Sequence, residues 1–145
     1  MLGADEISRL ACGAVSMEEV FSVLAYASTS AIKVVSLEFS VEGCDYLKQA
    51  RLIISVPLDE AVAEWVGFEA WLSPEVPAKD FIARAYNELV GRGFSVTMSK
   101  DGVFIHKERV RNVCLRTLVE EICKVVEGRA PSKIEYRGYS VMEEW

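Results

Sequence analysis

Histidine and the side-chain amides are scarce in this chain. His106 is its only histidine, Gln49 its only glutamine, and Asn87 and Asn112 its only asparagines. A single histidine cannot complete a Cys/His zinc set at finger spacing, and none of the cysteines form C-x-x-C. Long apolar runs are missing as well. The longest uncharged stretch, Val20 to Ile32, falls short of the ~20 residues that a membrane-spanning helix needs. The opening "MLGADEISRLACG" carries Asp5 and Glu6 where a secretory leader requires an apolar centre, and Cys12 lacks the preceding apolar run of a lipid-anchor site. A cytoplasmic protein is therefore expected. Basic residues are in deficit too, 16 against 22 acidic, giving a net charge of −6. That balance argues against general nucleic-acid binding and against docking on an anionic membrane.

What is present is the composition of a folded protein, 51% hydrophobic and 26% charged. The length fits a single domain over 1–145, with 1–15 as a short extra helix or a frayed end. Few amides beside abundant Val, Glu and Arg is a composition favoured in hot habitats, that of a hyperthermophilic archaeon for example. The cysteines Cys12, Cys44, Cys114 and Cys123 read as small, semi-buried apolar residues. Helical periodicity sends Cys114 and Cys123 to opposite sides of one helix. Disulfides are the alternative, because some hyperthermophiles keep them inside the cell.

Hydrophobic periodicity supplies the elements. Ser16 and Glu19 form a capping box ahead of the stripe Val20, Phe21, Val23, Leu24 and Ala27, which fades near Ser28 to Ser30. Val35, Leu37, Phe39 and Val41 alternate with polar residues as a strand. Ala50, Leu52, Ile54, Val56 and Leu58 do the same, with Arg51, Ser55 and Asp59 opposite and Pro57 at the end. Val66 to Leu72 reads as a third strand, with a helix over 59–66 as the alternative. Pro77 opens a helix carrying Phe81, Ile82, Ala85 and Leu89, and Gly91 and Gly93 close it. A hairpin turning at Asp101-Gly102 follows. Asn112 then caps a helix with the stripe Leu115, Leu118, Val119, Ile122, Val125 and Val126, stopped by Gly128 and Pro131. The order α-β-β-β-α-β-β-α predicts an α+β fold, an antiparallel sheet with helices packed on one face. The C-terminal extension 129–145, with Ile134, Tyr136, Tyr139, Val141, Met142 and Trp145, is too apolar to be solvated. It packs back on its own domain or docks on a neighbour.

In the hairpin, Phe94, Val96 and Met98 share a face with Val103 and Ile105. His106 then falls on the opposite face with Ser95, Thr97 and Phe104. A general-base histidine needs a nucleophile on one side and an orienting carboxylate on the other. The same segment offers only Thr97, Ser95 and Glu108, so His106 reads as a polar-face residue and no catalytic residue is assigned. Gly91-Arg-Gly93 lies between helix and strand, the reverse of a phosphate-cradling loop. Glu42 with Asp45, and Asp59 with Glu60, read as surface acids at strand ends. No cofactor or metal is expected.

Over about Ser16 to Gly128 the pattern resembles the type III secretion chaperone-like fold, including the YbjN-type proteins. "FEAWLSPEVPAKDFIARAYNELV" looks like that group's third strand, proline-bearing link and helix, and "FSVTMSKDGVFIHKERV" like its following hairpin. The resemblance implies a non-enzymatic homodimer that binds extended segments of a client. The resulting expectation is a non-catalytic chaperone- or adaptor-like protein whose partner is a protein client or its own copy. Trp65, Trp71, Phe104, Tyr136, Tyr139 and Trp145 are its candidate anchors. Trp65 and Trp71 can equally be ordinary cover for the sheet's second face. Two alternatives stand beside it. One is a small-molecule binder or enzyme with a pocket between sheet and helices. The other is nucleic-acid association through the basic patch 107–116, with Lys107, Arg109, Arg111 and Arg116.

Overall fold

A computed structural model describes residues 1–30 and 34–142, apart from the side chain of Ala78. The first helices are α1 (Ala4–Leu10) and α2 (Met17–Thr29). Strands β1 (Val34–Glu42), β2 (Leu47–Ser55) and β3 (Trp65–Leu72) follow. Next come α3 (Ala78–Arg84), α4 (Tyr86–Gly91) and the hairpin β4 (Ser95–Ser99) and β5 (Gly102–Lys107). The chain closes with α5 (Leu115–Glu127) and β6 (Lys133–Met142). The strands form one antiparallel sheet of order β4-β5-β3-β2-β1-β6. This is the expected α+β class.

Alternation decides which side of the sheet is dry. Val35, Leu37, Phe39 and Val41 on β1, Ala50, Leu52 and Ile54 on β2, and Phe68, Ala70 and Leu72 on β3 are all buried. They form one cluster with the inward stripes of α2 and α5, among them Val23, Leu24, Leu118 and Ile122. Burying a side chain of this size is worth about 1.5–3 kcal/mol, so this layer dominates the favourable side of folding. α2 begins as its sequence requires: the Ser16 hydroxyl accepts from the Glu19 N–H at 3.2 Å. α5 ends on Gly128, whose φ of 71° closes the helix in the left-handed conformation.

Several open alternatives are decided, and other expectations are corrected. The segment before Ser16 is a short helix, held by Ile7 and Leu10 in the core. The C-terminal extension packs back on the chain as a sixth strand beside β1, because β1 would otherwise be an edge with an unpaired ladder. Region 59–66 is not helical. Ala63 bridges Leu2, and Asp59 takes a φ of 64°. Leu58 is exposed, since β2 stops at Ser55 before Pro57 and the alternation does not carry past it. The helix after Pro77 is split at Ala85, and its buried stripe is Phe81, Ala85 and Leu89, with Ile82 on the solvent side. The hairpin loop is Lys100-Asp101, one residue earlier than expected, and Gly102 already pairs with Ser99. Cys114, not Asn112, caps α5; Asn112 has a φ of 60° and turns the chain just before the helix.

The cysteines are paired, not free. Cys12 joins Cys114 across 102 residues, and Cys44 joins Cys123 across 79. Cys114 is the N-cap at the start of α5 and Cys123 lies within the helix, so each meets a different partner. Cys114 reaches the end of α1, and Cys123 the turn after β1. Separations of this size leave no local trace in a sequence.

Candidate functional site

Among the described residues, the helices pack their buried side chains into the cluster on the dry face, and none contributes to the opposite face. Its residues follow from the registers as rows that run across the strands. One row reads Ser95, His106, Glu69, Arg51, Glu38 over five strands. The next reads Thr97, Phe104, Trp71, Gln49, Ser40. On the far side, Ile53 lies between Ser36 and Gly67, and Val34 between Ser55 and Met142. Val34 and Ile53 are buried although they point away from the helices.

Glu69 is the centre of the charged row and one of few buried polar residues, 7% exposed. Arg51 Nε donates to Glu69 Oε1 at 2.8 Å, and His106 Nδ1 lies 2.9 Å from Oε2. A buried carboxylate is stable only when its oxygens are held by such partners. Glu38 is fixed from its own side, accepting from Ser36 Oγ at 2.9 Å and Ser140 Oγ at 3.0 Å. Arg51 and Glu69, with Glu38, Gln49, Trp71 and Phe104, line a depression of about 450 Å³. Trp71 is steered by its indole N–H, which donates to the Asp101 carbonyl at 3.1 Å. The depression lies on the uncovered face, not between sheet and helices.

The candidate anchors divide between the two sides. Trp65, Trp71 and Phe104 share the uncovered face. Tyr136 and Tyr139 pair with Phe39 and Leu37, so both lie on the helix side of β6. They share that side despite their odd spacing because the register slips at the Glu38/Phe39 step. Tyr136 rests on Phe39, with ring centroids 5.6 Å apart. Burial, then the charge of Glu19 and the phenol of Tyr139, push its hydroxyl up to about 12. Trp145 lies outside the described residues.

His106 takes the expected face, but its carboxylate partner comes from β3 and not from its own hairpin. Sequence reasoning missed Glu69 and Arg51 as a pair. The available signal was that both alternate onto the polar face; the register that joins them was absent. Two basic residues of 107–116 have partners within the chain. Lys107 stands over the Phe94 ring at 5.2 Å, and Arg116 pairs with Glu120 at 3.9 Å. Cys44, Cys123 and Glu127 bring their ligand atoms close together. Those atoms are already committed. The sulfurs are bonded to each other, and Glu127 accepts the N–H groups of Asp45, Tyr46 and Leu47. Among the described residues no helix is long and apolar enough to cross a membrane.

Comparison with known protein families, curated proteins and solved structures finds no match to this chain.

Proposed function

We propose that this protein is a non-catalytic interaction protein, chaperone- or adaptor-like, that takes an extended client segment across the uncovered face of its sheet. The observation that carries this reading is the neighbouring pair Trp71 and Phe104 beside the Arg51–Glu69 floor of the depression. Aromatic side chains anchor protein interfaces at low entropic cost, and a rigid sheet holds them without rearrangement. Glu38 and Gln49 at the rim supply acceptors and donors for a client backbone. The resemblance to secretion chaperone-like proteins points the same way.

The test is a titration of the intact chain with a permanently unfolded polypeptide, a reduced and carboxymethylated protein, read by indole fluorescence. Saturable binding that weakens at least about tenfold in the Trp71→Ala and Phe104→Ala variants is the expected result. Equal binding by wild type and variants overturns it. Light scattering over a range of concentrations separates a client from a second copy, since self-association alone raises the mass without any added polypeptide.

The convergence of Arg51, Glu38 and Gln49 in one concavity favours a second reading, a small polar ligand in the same depression. In that case the unfolded polypeptide fails to bind, and Arg51→Met abolishes thermal stabilisation by the ligand.

A further inference from the structure

The two disulfides have opposite surroundings. Cys44 and Cys123 are 1% and 0% exposed inside the core, closed to an external thiol. Cys12 is exposed, in a left-handed turn after α1 with a φ of 57°. Its partner Cys114 is the N-cap of α5, a helix of 13 residues. The Arg116 N–H, in the first turn of that helix, points at Cys12 Sγ from 3.2 Å. Beside the bond is a cleft of about 540 Å³, lined by Cys114 together with Arg9, Arg111, Asn112, Glu6 and Glu64. Of the two sulfur-bearing residues, only Cys114 lines it.

We propose that Cys12–Cys114 is a dithiol–disulfide exchange site, with Cys114 the sulfur attacked and Cys12 the leaving thiolate. Exchange requires an incoming thiolate, an accessible sulfur and a leaving sulfur whose negative charge is stabilised. The cleft supplies access to the half-buried Cys114; its lining carries Arg9 and Arg111 against Glu6 and Glu64, and Arg9 is also paired with Asp5 at 3.6 Å, so the lining charges balance and are not what favours the thiolate. The N-terminus of α5 supplies the third requirement. Its partial positive charge and the Arg116 N–H both favour a thiolate at Cys12. No acidic residue stands in the first turn of α5 to cancel that field.

The reaction balances as follows. A thiolate of an external dithiol, small molecule or protein, forms a bond to Cys114 Sγ while the Cys12–Cys114 bond breaks. Cys12 leaves with the electron pair and takes up a proton. The second thiol of the dithiol, deprotonated, attacks its own sulfur in the mixed disulfide, releasing Cys114 as a thiolate that is then protonated. The dithiol ends as a disulfide and the protein gains two electrons and two protons. The core does not depend on this bond: Ile7 and Leu10 keep α1 seated, and Leu2 bridges Ala63. Opening the bond changes the chemistry at the cleft and leaves the sheet intact.

The test uses the intact oxidised chain. It is exposed for short times to limiting dithiothreitol, quenched in acid, alkylated and mapped by peptide mass spectrometry. Cys12 and Cys114 are expected to become alkylated at least about tenfold faster than Cys44 and Cys123. Equal rates, or faster opening of Cys44–Cys123, overturn the proposal. A pulse of the monothiol 2-mercaptoethanol reports direction. Its adduct is expected on Cys114, and an adduct predominantly on Cys12 overturns the assignment of roles. In Cys114→Ser, the alkylation of Cys12 against pH should show a midpoint below the ~8.5 of a free cysteine. A midpoint at or above that value removes the role of α5. If this variant fails to fold, the two wild-type measurements still decide.

Discussion

Glu127 Oε2 accepts the backbone N–H of Tyr46 at 3.0 Å, joining the last residue of α5 to the turn between β1 and β2 across 81 residues of chain. The same carboxylate accepts from Asp45 and Leu47, so three consecutive amides that no ladder satisfies converge on one side chain. A carboxylate at a helix C-terminus opposes the macrodipole. Its presence here is compensated by those three donors.

Glu127→Ala should therefore destabilise the protein by about 1 kcal/mol, the usual net worth of a hydrogen bond, since Asp45 is exposed, Tyr46 half-buried and only Leu47 buried. Glu127→Gln, which keeps one acceptor, should lose less. Urea denaturation of the oxidised chain gives both values. A loss below experimental error in Glu127→Ala would mean that water replaces the carboxylate freely.

The Arg51–Glu69 pair yields a second expectation. Arg51→Met removes the guanidinium from a buried carboxylate and should cost up to about 3 kcal/mol, the low end for a broken buried pair. The low end applies because the Arg51 side chain is 26% exposed. Replacing both, Arg51→Met with Glu69→Leu, should recover part of that loss, since no charge is then left buried. A double-mutant cycle by thermal denaturation measures the coupling.

Gly102 has a φ of 137°, and a Cβ there would lie 2.4 Å from the Leu72 carbonyl oxygen and 2.6 Å from Trp71 Nε1. Gly102→Ala is expected to cost about 1–3 kcal/mol from backbone strain alone, and to displace the Trp71 indole from the Asp101 carbonyl. The checks are the melting temperature and the indole emission maximum, which should shift to the red.

Tyr136 gives the pH dependence. Its folded value of about 12 lies above the ~10 of a phenol in an unfolded chain. A group that holds its proton more tightly when folded contributes fully below pH ~10, and its contribution is lost as pH rises from there toward 12. An ultraviolet titration should show a late step near pH 12 from Tyr136. Tyr136→Phe should abolish that late step.

β6 shows how far periodicity can be read. Ile134, Tyr136, Tyr139 and Val141 do not keep a strict alternation, because the register slips beside Glu38. The segment therefore looked like an apolar tail and not like a strand. Lys133 and Arg137, paired with Glu135 at 3.0 and 2.9 Å, are the charges expected on an edge that must stay unpaired. The hydrogen bond from Lys133, then the charge of Arg137, holds the Glu135 carboxyl below its ordinary value.

Local patterning alone determined α2, the strands β1 to β5, α5, the dry face of the sheet, the helix start at Ser16 and stop at Gly128, and the face of His106. Each depends on residues a few positions apart, whose spacing the backbone geometry converts directly into direction. Tertiary structure alone decided the partner of His106, the pairing of the cysteines, the sixth strand and the cleft beside Cys114. Those depend on which strands lie side by side and in what register, a choice made by the packing of the whole core, so residues far apart in sequence, Cys12 and Cys114 across 102 residues among them, meet without a mark in the chain between them.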